Sequence, residues 1–261
     1  MLNELTLFGE RDKVQMAVDL LRHYENMTDG TGYYLAFSGG KDSCVIKELA
    51  NMAGVKYDAH YNLTTIDPPE LVHFIKREHS DVIIDRPDQP FLSRMIKMGY
   101  PPTRQTRYCC REYKERGGQG RYTITGVRRA ESNNRKNRRS VEVCRKDDNK
   151  IFVNPIIEWD DSDVWKFIRS NNLPYCKLYD EGWKRVGCLF CPFASKRERK
   201  MHTERYPKIK QNFIKAFEKL WNKKIGENKE RFFDWKSGEE MFQWWITNQG
   251  SRKNEQCTIF E

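Results

Sequence analysis

Hydrophobic positions along the chain keep two different rhythms. Val14, Met16, Ala17, Leu20 and Leu21 recur at helical spacing and predict a helix between Asp12 and Tyr24. Tyr33-Tyr34-Leu35-Ala36-Phe37 is a short unbroken apolar run, the mark of a buried strand, and a helical pattern then runs from Cys44 to about Met52, where Gly54 stops it. Val55 to Leu63 predicts a second strand, and Pro68-Pro69 opens the next helix. Val82-Ile83-Ile84 reads as a short strand, Phe91 to Met98 and the basic stretch Arg104 to Arg116 as helices, and Tyr122 to Gly126 as a further strand. Trp159-Asp160-Asp161-Ser162-Asp163-Val164-Trp165 starts a capped helix that reaches about Asn171.

Strands alternating with helices at this rhythm imply an α/β fold, a mostly parallel sheet flanked by helices. From Ser195 onward the pattern changes to charged helices rich in aromatics, among them Phe213, Phe217, Trp221 and Trp245. The expected organisation is therefore a sheet domain over residues 1–193 and a helical C-terminal extension, 194–261, packed on it. There is no internal repeat and no low-complexity linker.

Candidate chemistry begins where the first strand meets its helix. Ser38-Gly39-Gly40-Lys41-Asp42-Ser43 places two glycines at a strand-to-helix turn, so the backbone can bend sharply and approach an anion. Helix N-terminal amides, a lysine and two hydroxyls converge there, which makes a phosphate cradle. The spacing differs from the common mononucleotide loop, which keeps four residues between its glycine and Gly-Lys-Ser/Thr. In a parallel sheet such a turn lies in the ligand crevice beyond the strand ends, and the exit of the later strand, Gly126-Val127-Arg128-Arg129, faces the same crevice.

Composition narrows the picture. In a chain of 261 residues, 47 lysines and arginines against 37 acidic residues give a formal charge of +10, a balance that suits a polyanionic ligand such as a nucleotide, an RNA or a DNA. No apolar stretch approaches the length of a membrane span and Met1-Leu2-Asn3-Glu4 is not a signal peptide, so a cytoplasmic protein with no membrane partner is expected. In that compartment the eight cysteines are not a disulfide framework. Cys109-Cys110 and Cys188-Leu189-Phe190-Cys191 form a pair of pairs, and four such thiolates suit zinc or an iron–sulfur cluster. Adjacent cysteines point apart, which a cluster with separated irons accommodates better than a single small ion. Cys44, Cys144 and Cys176 lack this pattern and are expected to be core or surface residues.

The Ser38–Ser43 loop resembles the PP-loop of the adenine-nucleotide alpha hydrolases. The order of motifs is similar to that of the phosphoadenylyl-sulfate reductase family: after the loop come Thr64-Thr65-Ile66-Asp67, Cys109-Cys110, Gly126-Val127-Arg128-Arg129-Ala130-Glu131-Ser132, Asn154-Pro155-Ile156, Trp159 with Asp163-Val164-Trp165, Leu178-Tyr179-Asp180-Glu181-Gly182 and Gly187-Cys188-Leu189-Phe190-Cys191-Pro192. The matches run from about Gly32 to Phe193. The resemblance implies nucleotide or phosphate binding by Ser38, Gly39, Gly40, Lys41, Asp42, Ser43, Thr65, Asp67, Gly126, Arg128 and Arg129. It also implies a four-iron, four-sulfur cluster on Cys109, Cys110, Cys188 and Cys191.

Reductases of the family end in a Glu-Cys-Gly-x-His tail whose cysteine attacks sulfur; here only Glu255-Gln256-Cys257 is reminiscent of it, which makes Cys257 the candidate nucleophile. The favoured expectation is reduction of adenylyl sulfate or 3'-phosphoadenylyl sulfate, with Lys41 and the arginines neutralising the anion and a thioredoxin-like or other thiol donor completing the reaction. Lys41 is also a feature of relatives that split ATP. The alternative is therefore an ATP pyrophosphatase, using Mg2+, that adenylates a tRNA or DNA for sulfur insertion.

Overall fold

The computed structural model describes residues 2–6, 9–144, 147–229 and 234–248. They divide into two compact units. One takes in residues up to Asn62, Pro68–Asp85 and Arg116–Val186; the other gathers Leu63–Asp67, Arg86–Glu115 and Gly187 onward. This partition differs from a single boundary at 193/194, because Leu63–Asp67, Arg86–Glu115 and residues 187–193 belong with the C-terminal helices.

The first unit opens with a small antiparallel pair, β1 (Asn3–Thr6) and β2 (Gly9–Asp12). Asp12 then caps α1 (Lys13–Glu25), its carboxylate accepting from the Val14 amide at 2.9 Å. The sheet strands are β3 (Tyr33–Ala36), β4 (Tyr57–Asn62), β5 (Ile83–Asp85), β6 (Tyr122–Ile124), β7 (Val141–Cys144) and β8 (Asp147–Val153), in the order β5-β4-β3-β6-β8-β7. All neighbours are parallel except the β7–β8 hairpin. The expected α/β class with a mostly parallel sheet is borne out.

Helices α2 (Lys41–Ala53) and α3 (Pro69–Glu78) carry the chain outward from β3 to β4 to β5. The chain then returns to place β6 on the other side of β3. The strand order therefore reverses beside β3, and the crevice at such a reversal is where doubly wound sheets bind ligands. The Ser38–Ser43 loop leaves β3 there, and Thr125–Arg128 leaves β6 beside it. A further helix, α6 (Asp161–Ser170), is capped by Asp160, whose carboxylate accepts from the Asp163 amide at 2.8 Å.

The sheet faces differ in character. Tyr33, Leu35, Ala59, Ile124 and Val153 are buried and apolar, and Tyr33 Oη donates to the Leu21 carbonyl of α1 at 2.6 Å. The alternate positions of β3 and β4 carry Tyr34, Asp58, His60 and Asn62, with His60 stacked on Tyr34 at 4.5 Å.

The second unit is helical: α4 (Phe91–Met98), α5 (Tyr108–Tyr113), α7 (Lys196–Arg205), α8 (Pro207–Gly226) and α9 (Gly238–Asn248). Its core is aromatic, with Phe190 4.9 Å from Phe213 and Phe213 stacked on Trp245 at 5.9 Å between ring centroids. The helix expected from Arg104 to Arg116 is only the six residues of α5. Ahead of it Thr103 and Thr106 bond to each other as a turn, and Arg104 donates to the Pro192 carbonyl at 2.9 Å. Among the described residues no helix is long and apolar enough to cross a membrane.

Candidate functional site

Gly39 makes the cradle turn possible. Its φ is +70°, and a Cβ there would lie 2.6 Å from Leu71 Cδ1 and 2.7 Å from Ile75 Cδ1 of α3. Gly40 is the N-cap of α2 in extended conformation and supplies no side-chain cap. Ser38 and Ser43 brace the turn: Ser38 Oγ accepts from the Gly40 amide at 3.3 Å and donates to Ser43 Oγ at 3.2 Å, and Ser43 Oγ donates to the Gly40 carbonyl at 2.8 Å. The first helical amide, that of Lys41, donates to Tyr179 Oη at 3.0 Å.

Two buried cations meet over this turn. Lys41 Nζ lies 3.0 Å from Asp161 Oδ1 and 3.6 Å from Asp42 Oδ2. Arg128 Nε donates to Asp42 Oδ1 at 2.6 Å, and its Nη2 lies 3.2 Å from Asp161 Oδ1. Close approach of the two segments depends on Gly126, where a Cβ would be 3.1 Å from Asp42 Cβ and 3.2 Å from the Asp42 carbonyl carbon. Burial pushes the Asp161 carboxyl up. The hydrogen bond from Lys41 and the charges of Lys41 and Arg128 outweigh it and hold the group below the usual carboxylate range.

Arg135 adds positive charge nearby. Burial, and then the neighbouring guanidinium groups of Arg185 and Arg138, press it below the ordinary arginine value, while Glu131 pairs with it. Arg129 is placed differently from Arg128. It pairs with Glu158 and donates to the Arg138 carbonyl at 2.9 Å.

Thr65 and Asp67 belong to the second unit. Thr65 has φ +66° and its Oγ1 accepts from the Phe91 amide at the start of α4, at 2.9 Å. Asp67 accepts from the Thr64 amide at 2.8 Å, and the Leu189 amide donates to the Ile66 carbonyl at 2.8 Å. Cys188 Sγ is 3.4 Å from Thr64 Oγ1 and 3.9 Å from Asp67 Oδ1. The Thr64–Asp67 segment is thus fastened to the Cys188–Cys191 turn.

All four paired cysteines lie in this unit, partly buried. Cys109 and Cys110 sit on α5. Phe190 points into the aromatic core between Cys188 and Cys191, at φ +55°, and its amide donates to His202 Nδ1 at 3.0 Å. The Cys109 thiol is raised by its hydrogen bond with Cys110, then by burial and by Cys110, Cys188 and Cys191. Cys110 is lowered by its hydrogen bond with Cys109, against burial and with help from Arg107 and Lys114. Cys188 is raised by burial, opposed by Lys114.

Four thiols within electrostatic reach of one another, with cations beside them, fit an iron–sulfur cluster in donor chemistry. Among the described residues no three His, Cys, Asp or Glu groups are arranged to close on a single metal ion.

The outlying cysteines divide as follows: Cys44 and Cys176 are buried and Cys144 is half-buried, and burial pushes the Cys44 thiol up to about 12. Cys257 lies outside the described residues.

Sequence reasoning passed over Asp161 and Tyr179. Asp161 stood in an acidic run read only as a helix cap; the cap is Asp160, which leaves its neighbour free to turn to Lys41 and Arg128. Tyr179 sat inside a matched motif with no role assigned.

A family model described as phosphoadenosine phosphosulfate reductase domain matches residues 32–194. Two uncharacterized proteins of Methanocaldococcus jannaschii are 28% and 29% identical over 217 and 210 residues, or 78% and 76% of this chain. Those matches cover 52% and 42% of the relatives, so the chain spans about half their length. The adenosine 5'-phosphosulfate reductase of Oceanobacillus iheyensis is 28% identical over 179 residues, 62% of this chain and 72% of that protein. The crystal structure of phosphoadenylyl-sulfate reductase from Candida auris, a phosphate complex, shares the fold with a TM-score of 0.51 at 19% identity, over 66% of this chain and 87% of that one.

Proposed function

Because the chain belongs to the phosphoadenosine phosphosulfate reductase domain family, we propose that it binds adenylyl sulfate or its 3'-phosphorylated form on the Ser38–Ser43 loop and reduces the sulfur. The observation that carries this reading is the buried Lys41–Arg128 pair at the strand-order reversal. Two buried cations at a helix N-terminus, countered on one side by the largely exposed Asp161, can exchange that carboxylate for a ligand anion, and a guanidinium fork matches phosphate or sulfate oxygens.

In the proposed reaction a thiolate attacks the sulfate sulfur and the sulfur–oxygen bond to the phosphate breaks. AMP, or its 3'-phosphate, departs with that electron pair. A second thiol then attacks the sulfur-bearing thiol, so that a disulfide forms and sulfite leaves. Lys41 and Arg128 neutralise the phosphate charge that grows as the bond breaks. Cys257 is the proposed first thiol, and a thioredoxin-like or small thiol donor the second. Cys109, Cys110, Cys188 and Cys191 would hold a four-iron, four-sulfur cluster, which would supply fixed charge.

The test uses the full chain purified without oxygen. Sulfite and AMP release from adenylyl sulfate, or from its 3'-phosphorylated form, in the presence of a thiol donor is the expected result. Pyrophosphate release from ATP with no sulfite from either sulfonucleotide would overturn it.

A further inference from the structure

The cradle already holds an anion of its own. Lys41 Nζ and Arg128 Nη2 both point at one oxygen, Asp161 Oδ1, at 3.0 and 3.2 Å, and the leading amide of α2 is taken by Tyr179 Oη. Ammonium, guanidinium and helix amide are the donors that a phosphate or sulfate group would use. Asp161 thus stands where ligand oxygens would go.

The partners in this contact are unequal. The side chains of Lys41 and Arg128 are 7% and 4% exposed, whereas that of Asp161 is 65% exposed. Withdrawing Asp161 returns a carboxylate to water at little cost, while the cations stay buried and in need of a counter-charge. Asp42 is held differently. It is the less exposed carboxylate, sits on the cradle helix itself and accepts from Arg128 Nε at 2.6 Å, so it remains when Asp161 leaves. Helix capping does not require Asp161, since Asp160 performs it.

Both stand-ins trace to one element. Trp165 lies one turn after Asp161 on α6, on the same face, and packs edge-on against Tyr179 at 5.3 Å. Through that ring α6 supports the hydroxyl on the Lys41 amide as well as the carboxylate on Lys41 Nζ.

We infer that Asp161 is a built-in competitor for the anion site: it occupies the Lys41 and Arg128 donors and must be displaced by the anionic group of any ligand, so it sets the affinity threshold of the cradle. The inference rests on the reading of this loop as an anion site. The displacement cost is common to every anion. Small anions, which have only these donors to bind, are pushed to weak affinity. A nucleotide stays bound despite the cost through contacts made by the rest of the molecule, so the carboxylate lowers every anion's affinity by the same factor, leaving free phosphate or sulfate only weakly held without changing their ratio to nucleotide.

The test titrates inorganic pyrophosphate and AMP, each without and with Mg2+, into the full chain and into Asp161→Asn and Asp161→Ser, by calorimetry at fixed ionic strength. Both variants should bind both ligands roughly 3- to 10-fold more tightly, by a similar factor for the two. Pyrophosphate binding that becomes measurable only in the variants supports the inference equally. Circular dichroism and a thermal melt of each variant establish that it is folded. Unchanged or weaker binding in both folded variants would overturn the inference and leave the nucleotide reading standing, as would a loss confined to Mg2+, which makes Asp161 a cation ligand. If neither wild type nor variants take up either ligand, the anion-site reading falls and the inference falls with it.

Discussion

The cradle in the first unit and the cysteine turn in the second are held by opposite physics. Over the Ser38–Ser43 loop, cations and carboxylates alternate, Lys41 and Arg128 against Asp42 and Asp161, so every buried charge has an opposite neighbour. Around Cys188–Cys191 the turn's own residues are held chiefly by uncharged groups: Phe190 in an aromatic core, its amide on His202 Nδ1, and the Leu189 amide on the Ile66 carbonyl, with Arg104 adding a bond to the Pro192 carbonyl at its end. A site built from paired charges tolerates one exchange of anion for anion. A turn fixed by neutral hydrogen bonds presents thiols whose charge has to be matched from outside the set.

The sharpest way to break the cradle is to remove Arg128. Arg128→Ala leaves Asp42 and Asp161 facing Lys41 alone, and deleting one member of a buried charge set costs about 3–5 kcal/mol. Under the proposed function, adenylyl sulfate turnover is expected to fall by roughly 100-fold or more, with a clear drop in melting temperature. Retention of wild-type turnover would remove Arg128 from the site. Arg129→Ala is the contrast: Arg129 faces Glu158 and a carbonyl, and its loss should cost well under that.

On the other side of the comparison, the proposed cluster requires that Cys188→Ser abolish stable iron incorporation in protein purified without oxygen. Iron per chain and visible absorption are the readouts, independent of any activity. An unchanged iron content would show that the four cysteines are not the ligand set.

How much of this was legible beforehand depended on whether a feature is local. The cradle turn is written in consecutive residues, because the glycine at φ +70° and the helix start lie side by side. The strand–helix rhythm from β3 to β5 was readable for the same reason. The β7–β8 hairpin was missed, although Val141-Glu142-Val143 alternates and Ile151-Phe152-Val153 is a compact apolar run. Asp161 was missed because its meaning comes from pairing with residues 120 and 33 positions away, which no local pattern encodes. The two-unit partition was hidden for a similar reason, since Leu63–Asp67 joins the Cys188 turn through hydrogen bonds across more than a hundred residues.

His202 sharpens the contrast through pH. Burial, first, and then the charge of Arg199 drive the imidazole down to about 4, against the pull of Glu198, and Nδ1 accepts the Phe190 amide, which requires the neutral ring. In the unfolded chain the ring takes up a proton near pH 6.5. Between about 4 and 6.5 the unfolded state therefore binds the extra proton, so this contribution to stability is complete above about 6.5 and is lost as pH falls toward 4, on the order of 3 kcal/mol in all. His202→Asn keeps an acceptor for the Phe190 amide but cannot titrate, and should flatten the melting-temperature slope across that window. A slope identical to wild type would show that another group carries it. The cradle contributes little there, because Asp161 is held below the ordinary carboxylate range and stays charged until lower pH.

The smallest expected effect is at Tyr179, and it tests whether the cradle amide needs its hydroxyl partner. Tyr179→Phe keeps the ring against Trp165 and removes only the oxygen that accepts from the Lys41 amide. A single neutral hydrogen bond contributes about 0.5–1.5 kcal/mol, so the melting temperature of the ligand-free protein should fall by a few degrees at most. Pyrophosphate affinity should hold or rise slightly, since the freed amide is offered to the ligand. A large loss of affinity would mean that the hydroxyl itself touches the anion, and that the self-pairing of this site is confined to Asp161.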